Sequence, residues 1–202
     1  FVASRLSTSR HRGWLLDPRL ICESMTATIC FHHNDLDGRA SGAIVRRELG
    51  ASFQLYEVDY GDAIPWNLIE TADQVIVVDF SLPLAEMKKI VAHHSLIWID
   101  HHISAIQDVG KLANAWQGIR DITEAGCVLC WRYFFPGQPT PRAITLIGDR
   151  DIWRLAEPDS PAFNEGLYHE QNNPEYDEIW IPLLKNDPEA THRLIQRGQI
   201  LL

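Results

Sequence analysis

Short apolar runs alternate with amphipathic segments along most of the chain. Four runs have the character of strands, at residues 26–31, 52–60, 75–78 and 96–99. The third and fourth runs are apolar at every position, which is typical of parallel strands that are covered by helices on both faces. Apolar residues recur at helical spacing over residues 38–49, 83–92, 123–135 and 141–148, and a final helix begins at about residue 186.

This alternation predicts the fold class. Consecutive parallel strands need a crossover connection, and the helical segments between the runs provide it. We therefore expect an α/β domain with a Rossmann-like parallel sheet of about five strands flanked by helices. In open sheets of this kind, ligands bind beyond the carboxyl ends of the strands. Polar residues that directly follow a strand are thus the first candidates for a functional site.

Carboxylates and imidazoles follow three of the four strand-like runs. These residues are His33, Asp35 and Asp37 after the first run, Asp79 after the third, and Asp100, His101 and His102 after the fourth. Asp35 and Asp37 are alternate residues, so they point the same way in extended backbone. Taken singly, Asp35 is equally explained as a helix N-cap and Asp79 as a turn residue. Their recurrence at one sheet edge indicates a shared metal site.

Composition narrows the choice of ligand and compartment. Lys and Arg number 18 against 27 Asp and Glu, a net charge of −9, which disfavours binding to duplex nucleic acid. No apolar run is long enough to span a membrane. Four cysteines in 202 residues are typical of a reducing, cytoplasmic protein rather than a disulfide scaffold. Cys127 and Cys130 have zinc-like spacing, but their placement on an apolar helix indicates a core position.

Two segments differ from the rest in composition. Residues 1–24 are rich in Ser and Arg, and we interpret them as a loose N-terminal leader before a domain over residues 25–202. Residues 156–182 are rich in Pro, Asn and acids around a short helix at 161–169. That composition favours an ordinary solvated loop over a lid.

The motifs resemble those of a known family. His33-Asn-Asp-Leu-Asp-Gly38, Asp79, Asp100-His101-His102 and Gly148-Asp149 are similar, in order and spacing, to the four signature motifs of the DHH phosphoesterase superfamily. The family includes single-strand exonucleases, oligoribonucleases, cyclic-nucleotide phosphodiesterases, exopolyphosphatases and pyrophosphatases. Within it, the motifs are most similar to the oligoribonuclease and cyclic-nucleotide phosphodiesterase branch.

The resemblance implies two bound Mn²⁺ ions, with Mg²⁺ as the alternative, since oxygen-rich sites with some imidazole suit these cations. The implied ligands are His33, Asp35 and Asp149 for one ion, Asp37 and His101 for the other, and Asp79 as the bridge. His102 is implied to contact the scissile phosphate, and Asp100 to orient an imidazole. Asp151 is an alternative to Asp149, because the two are alternate residues after the predicted helix.

The implied activity is hydrolysis of phosphodiester bonds in short oligoribonucleotides or cyclic nucleotides by a water that the two ions activate. The alternatives are an exopolyphosphatase or pyrophosphatase, and a metal-binding module without turnover. Arg150 is either a phosphate contact or a surface residue, and Trp153 is close enough in sequence to border the pocket. The Gly-Gly-His signature of the family's second, substrate-binding domain is absent, so we expect either a fragment or a form that pairs with another subunit.

Overall fold

The computed structural model describes residues 27–50 and 53–202. The predictions of a leader at 1–24 and of a domain that begins at residue 25 lie outside these residues. Within them, the structure is an α/β fold with helices on both faces of one parallel sheet, which confirms the predicted fold class.

The sheet contains four strands. They are β1 (Thr28–His33), β2 (Gln54–Val58), β3 (Gln74–Val78) and β4 (Ser95–Ile99), all parallel, in the order β2-β1-β3-β4. About five strands were predicted. The segment 117–120 runs beside β4, but it pairs only at two isolated bridges, Ile97 with Gln117 and Asp100 with Arg120, so it does not form a fifth strand in the described part of the chain.

Nine α-helices and one 3-10 helix surround the sheet in the described residues. They are α1 (Leu36–Leu49), α2 (Trp66–Ile69), α3 (Leu84–His93), α4 (Ile103–Val109), the 3-10 helix (Gly110–Ala115), α5 (Gly126–Phe134), α6 (Arg142–Asp151), α7 (Ser160–Tyr168), α8 (Asp177–Leu184) and α9 (Pro188–Leu201). None of these helices has the length and apolarity that a bilayer crossing needs.

In the segment 156–182, the short helix predicted at 161–169 is confirmed as α7, but the solvated loop around it is shorter than predicted because α8 begins at Asp177. Helix α7 packs against α9 at two glycines, where the backbones come together. A Cβ atom on Gly198 would lie 1.7 Å from the carbonyl oxygen of Ala162, and one on Gly166 would lie 2.0 Å from that of Leu194. Backbone contact therefore anchors α7 in addition to its buried apolar side chains.

Alternate strand residues face two separate cores. Phe31 and Trp98 belong to the core beneath α3, whereas Cys30 faces the opposite core, formed with α1, α5 and α6. Cys127 and Cys130 are buried free thiols in that second core, as predicted. Apolar burial on both faces is what fixes the register of a parallel strand.

The sheet order places a topological switch point between β1 and β3. The chain passes from β1 to β2 on one side, and β3 then lies on the other side of β1. Connections leave a switch point in opposite directions, so a crevice opens beyond the carboxyl ends of these strands. The polar residues that follow β1, β3 and β4 meet in this crevice.

Candidate metal centre

Asp35 performs two tasks at the start of α1. Its Oδ1 accepts a hydrogen bond from the Gly38 amide at 2.8 Å, which makes it the helix N-cap, and its Oδ2 lies 2.8 Å from Nδ1 of His33. The capping and site interpretations are therefore compatible, because a carboxylate has two oxygens. Burial opposes the charged form of His33, but the bond to Asp35 outweighs it and raises the pKa of this imidazole.

Asp79 is a buried carboxylate without a hydrogen-bond partner. It is 1% exposed, and neither oxygen accepts a hydrogen bond from any described residue. Burial, followed by repulsion from Asp37 and Asp35, raises its pKa well above the ordinary value. An uncompensated buried charge is costly, and protonation or a bound cation relieves that cost. Asp79 thus fits a metal ligand better than a turn residue.

The backbone conformation of Asp79 and a glycine at position 126 allow the start of α5 to lie close to the Asp79 carboxylate. Its φ of 52° lies in the left-handed region, which is uncommon for any residue except glycine. A Cβ atom on Gly126, the first residue of α5, would lie 2.5 Å from Oδ1 of Asp79. A larger residue at position 126 would therefore displace the carboxylate.

Asp37 holds the amino end of α5 in the same crevice. Its Oδ2 accepts a hydrogen bond from the Gly126 amide at 2.7 Å, and its Oδ1 accepts one from the Cys127 amide at 2.8 Å. A carboxylate at a helix N-terminus is stabilised by the unpaired amides and the helix dipole. The sequence pattern began this helix at residue 123, so this contact was missed.

Three carboxylates surround one nitrogen of His101. Its Nε2 lies 3.1 Å from Oδ1 of Asp79, 3.5 Å from Oδ2 of Asp151 and 3.7 Å from Oδ2 of Asp37. Asp79 follows β3, Asp151 is the last residue of α6 and Asp37 lies in the first turn of α1, so the cluster is assembled only in the folded chain. Nearby carboxylates disfavour one another's ionisation unless positive charge is supplied.

The ligating atoms form three groups, and within each group all atoms lie within 4.8 Å of one another. The groups are His33 with Asp35 and Asp79, Asp37 with His101 and Asp151, and Asp79 with His101 and His102. Because Asp79 and His101 each belong to two groups, the three form one continuous cluster. We call this cluster the metal centre. Its carboxylate and imidazole donors suit Mn²⁺ or Mg²⁺.

Asp149 lies outside the metal centre, whereas Asp151, the alternative named from the sequence, is part of it. Helix α6 continues to Asp151, and residues two apart on a helix point about 200° apart. Asp149 turns inward and accepts hydrogen bonds from the amides of Ala156 at 2.9 Å and Glu157 at 3.3 Å. Asp151 faces His101 instead, and burial together with repulsion from other acids raises its pKa to about 8.

Asp100 orients His102. Its Oδ1 accepts hydrogen bonds from the His101 amide at 2.8 Å and the His102 amide at 3.1 Å, and it lies 2.8 Å from Nδ1 of the His102 ring. This contact raises the pKa of His102. It also leaves Nε2 of that ring available to the metal centre. The predicted role of Asp100 in orienting an imidazole therefore has a geometric basis, with His102 as the imidazole.

Two aromatic side chains border the metal centre. The Tyr60 ring lies 4.7 Å from that of Phe80 and 6.2 Å from that of His102, and Phe80 stacks on His33 at 5.8 Å between ring centroids. Burial and the surrounding carboxylates raise the pKa of Tyr60 to about 12, so it is a neutral phenol near pH 7. Sequence reasoning missed both residues, although each comes within two residues of a strand end.

Comparison with known proteins gives one sequence relative and several structural neighbours. No family model matches the chain. An uncharacterized protein of Acanthamoeba polyphaga mimivirus is 32% identical over 98 residues, which cover 48% of this chain and 23% of the viral protein. An uncharacterized protein from Helicobacter pylori has a TM-score of 0.61 at 16% identity, over 87% of this chain and 61% of that one. The Helicobacter protein thus shares the fold of this chain.

Two more distant structures are RecJ exonucleases. The manganese complex of RecJ from Thermus thermophilus has a TM-score of 0.47 at 17% identity, over 87% of this chain and 35% of that one. A second exonuclease RecJ bound to manganese has a TM-score of 0.44 at 15% identity, over 87% and 61%. The chain spans less than two thirds of each of these proteins and of the viral and Helicobacter proteins.

Proposed function

We propose that this chain is a metal-dependent phosphoesterase of the DHH superfamily that hydrolyses phosphodiester bonds in short oligoribonucleotides or cyclic nucleotides. The observation that carries the proposal is the buried carboxylate of Asp79, which accepts no hydrogen bond from the described residues and joins two groups of ligating atoms at the switch point of the sheet. The motifs that resemble the superfamily supply most of these atoms, and the overlapping groups support a site for two ions.

The groups suggest how two Mn²⁺ or Mg²⁺ ions would be held. His33 and Asp35 would bind one ion, Asp37, His101 and Asp151 the other, and Asp79 would serve both. When bound, such ions lower the pKa of a water from about 16 to about 7 and neutralise charge on the phosphoryl oxygens. Asp151 would thus be the ligand from α6 in place of Asp149, and it would bind the ion of Asp37 and His101 rather than the ion of His33 and Asp35.

The remaining residues bind and orient the phosphate. His102 is fixed by Asp100 and has a raised pKa, so its Nε2 is suited to donate a hydrogen bond to a phosphate oxygen. Helix α1 begins at Leu36 and directs its amino end toward the same crevice, where the unpaired amides and the helix dipole favour an anion. With these contacts, the site would bind a phosphate without needing a broad basic surface around it.

The overall charge favours short substrates. A chain with a net charge of −9 has little long-range attraction for an extended polyanion. Affinity must therefore come from the metal centre and the groups next to it, which reach one or two phosphates. This agrees with a dinucleotide or a cyclic nucleotide better than with duplex nucleic acid.

The experiment is a substrate panel with purified protein whose Mn²⁺ content has been measured. A linear dinucleotide, a cyclic nucleotide, polyphosphate and pyrophosphate are each incubated with wild-type protein and with Asp79→Asn as the matched control. We expect the wild type to cleave a nucleotide substrate and the variant to be inactive. Cleavage of polyphosphate or pyrophosphate alone would indicate the alternative hydrolase. Cleavage of none by metal-loaded protein would indicate a binding module.

A further inference from the structure

A cavity of about 320 Å³ opens directly beside the metal centre. Its walls come from the start of α1, the end of α6, helix α7 and Leu202 at the end of α9. It shares Asp35, Asp37 and Asp151 with the metal centre. A molecule whose phosphate lies at the metal centre would therefore extend into this space. The remaining wall residues indicate what kind of molecule it accepts.

Arg150 is the one cation among the residues that line the cavity. Its guanidinium carbon lies 4.2 Å from the ring centroid of Trp153, and it forms no ion pair or hydrogen bond within the described residues. Neighbouring Arg154, in contrast, donates to Thr123 and Glu124. Stacking on an indole holds a guanidinium in place without using its donors. Arg150 is thus pre-positioned with free donors, as binding of a phosphate requires.

Asn164 presents a fixed acceptor on the cavity wall. Its Nδ2 donates to the carbonyl oxygens of Leu146 at 2.9 Å and Ser160 at 2.8 Å, which fixes the orientation of the amide. Its Oδ1 accepts no hydrogen bond from the described residues, although the side chain lines the cavity. A fully ionised phosphate has no hydrogen to donate to this oxygen. A sugar hydroxyl or a base amino group does.

Tyr168 provides an open aromatic surface on the same wall. It is 68% exposed, although it is a large aromatic side chain next to a cavity. Aromatic rings on which bases stack are a common means of binding single-stranded nucleotides, and stacking tolerates any base. The cavity therefore combines a free guanidinium, an oriented acceptor and a ring surface within reach of the metal centre.

We propose that this cavity is the subsite for the nucleoside attached to the scissile phosphate. Tyr168 stacks on the base, Asn164 accepts a hydrogen bond from the nucleoside, and Arg150 binds the phosphate oxygens. Trp153 is a positioning residue that holds Arg150. The inference rests on the proposed function, and it extends it by assigning the residues that bind the nucleoside next to the scissile phosphate.

The test measures equilibrium binding of AMP and of ribose 5-phosphate to the full, Mn²⁺-loaded chain by calorimetry. The two ligands differ by the base, so we expect wild type to bind AMP at least about tenfold more tightly. Tyr168→Ala should abolish this preference and leave ribose 5-phosphate binding unchanged, whereas Tyr168→Phe should retain it. Arg150→Met should weaken the binding of AMP and of ribose 5-phosphate by a similar factor. Tyr176→Ala and Arg193→Ala are the matched controls on exposed residues elsewhere.

The binding measurements test this inference, whereas the cleavage measurements test the proposed function. Equal affinity of the wild type for the two ligands, no binding of either, or a preference that survives in Tyr168→Ala would overturn the subsite, even if dinucleotides are cleaved. Loss of the preference in Tyr168→Ala, in a protein that cleaves no phosphodiester, would support the subsite and reject the phosphodiesterase activity.

Discussion

The two regions that supply carboxylates to the metal centre do so in different ways. At the strand ends, Asp37 and Asp79 are 2% and 1% exposed and come together because parallel strands end at one edge of the sheet. In helix α6, Asp149 and Asp151 are two residues apart, and only Asp151 reaches the metal centre. The sheet topology brings strand-end residues together. In a helix, the direction in which each side chain points decides which of two nearby residues reaches the site.

Asp79 and Asp149 also differ in role, because the first is suited to bind a ligand and the second stabilises a turn. Asp79 has no hydrogen-bond partner among the described residues, so its charge is left for a ligand. Asp149 uses both oxygens on backbone amides of the turn after α6, where Trp153 and Leu155 adopt positive φ values of 54° and 50°. Two non-glycine residues in that region are unfavourable, and the hydrogen bonds of Asp149 offset the cost. Both acids are buried, but their environments predict opposite consequences of neutralisation.

The largest effect is expected at the strand-end acid. Asp79→Asn should lower turnover by about a thousandfold or more, since it removes the charge shared by two groups of ligating atoms. Asn tolerates the left-handed backbone at this position, so the fold is preserved. The metal-free variant should melt at a higher temperature than metal-free wild type at pH 8, because burial and the neighbouring Asp37 and Asp35 disfavour a charged carboxylate at this position. Activity near the wild-type level would exclude Asp79 as a shared ligand.

A paired substitution in α6 tests the comparison directly. Asp151→Asn should weaken Mn²⁺ binding and activity by about ten- to a hundredfold with little loss of thermal stability. Asp149→Asn should keep Mn²⁺ affinity within a few-fold of wild type and instead destabilise the fold by about 1–3 kcal/mol, through the lost bonds to Ala156 and Glu157. Calorimetric Mn²⁺ titration and thermal melts of both variants measure the two effects. The reverse pattern would restore Asp149 as the ligand.

This pair also marks the limit of what the sequence predicts. The strand-end residues were found because apolar runs, crossover lengths and the switch-point rule require only approximate boundaries. The choice in α6 required the helix end, and Gly148 was read as that end. In the structure, Gly148 lies inside the helix, where a Cβ atom would lie 2.8 Å from Cγ2 of Val128. A glycine that permits close helix packing and one that ends a helix look alike in sequence.

The contacts made by Asp37 show a second limit. Its carboxylate binds the amides of Gly126 and Cys127, which are 89 and 90 residues away along the chain. No local pattern announces a helix cap supplied from so far away, because capping rules describe neighbouring residues. Residues after strands are therefore predictable as members of a site, but their partners are not.

The pH dependence of stability gives a smaller effect. The pKa values of Asp79 and Asp151 are raised above their ordinary 3.8, the latter to about 8, and those of His33 and His102 are raised above 6.5. At these four groups the folded state therefore binds protons more tightly than the unfolded state, whereas burial lowers the pKa of His32 and opposes the effect there. This stabilisation is complete below about pH 4 for the acids and is lost as the pH rises toward 8.

Metal-free protein should consequently melt at a temperature several degrees lower at pH 8 than at pH 5, since 1 kcal/mol shifts the midpoint by about 2–4 °C in a chain of this size. Mn²⁺ should restore the midpoint at pH 8, where its ligands are deprotonated. Thermal melts with chelator and with Mn²⁺ measure both changes. Asp151→Asn should flatten the metal-free profile. A metal-free midpoint that rises from pH 5 to pH 8 would contradict the raised pKa values.

The smallest effect is expected at Asp59, the acid that follows the edge strand β2. The strand-end rule alone would place it in the metal centre, and its Oδ1 lies 3.6 Å from Nε2 of His33. Its side chain is 51% exposed, however, and its other oxygen accepts a hydrogen bond from Asn34 at 2.9 Å. Hydrogen bonds from the Tyr60 amide and from Asn34 lower its pKa, so it stays charged in water without help from a cation.

Asp59→Asn should therefore change kcat/KM for a dinucleotide by less than about threefold, because exposed charges interact weakly through solvent. Steady-state kinetics at two salt concentrations measure the effect, and any change should shrink at the higher one. A loss as large as that of Asp151→Asn would show that the end of β2 belongs to the metal centre. In that case position along the sheet edge, rather than burial, would decide which strand-end acids act on the substrate.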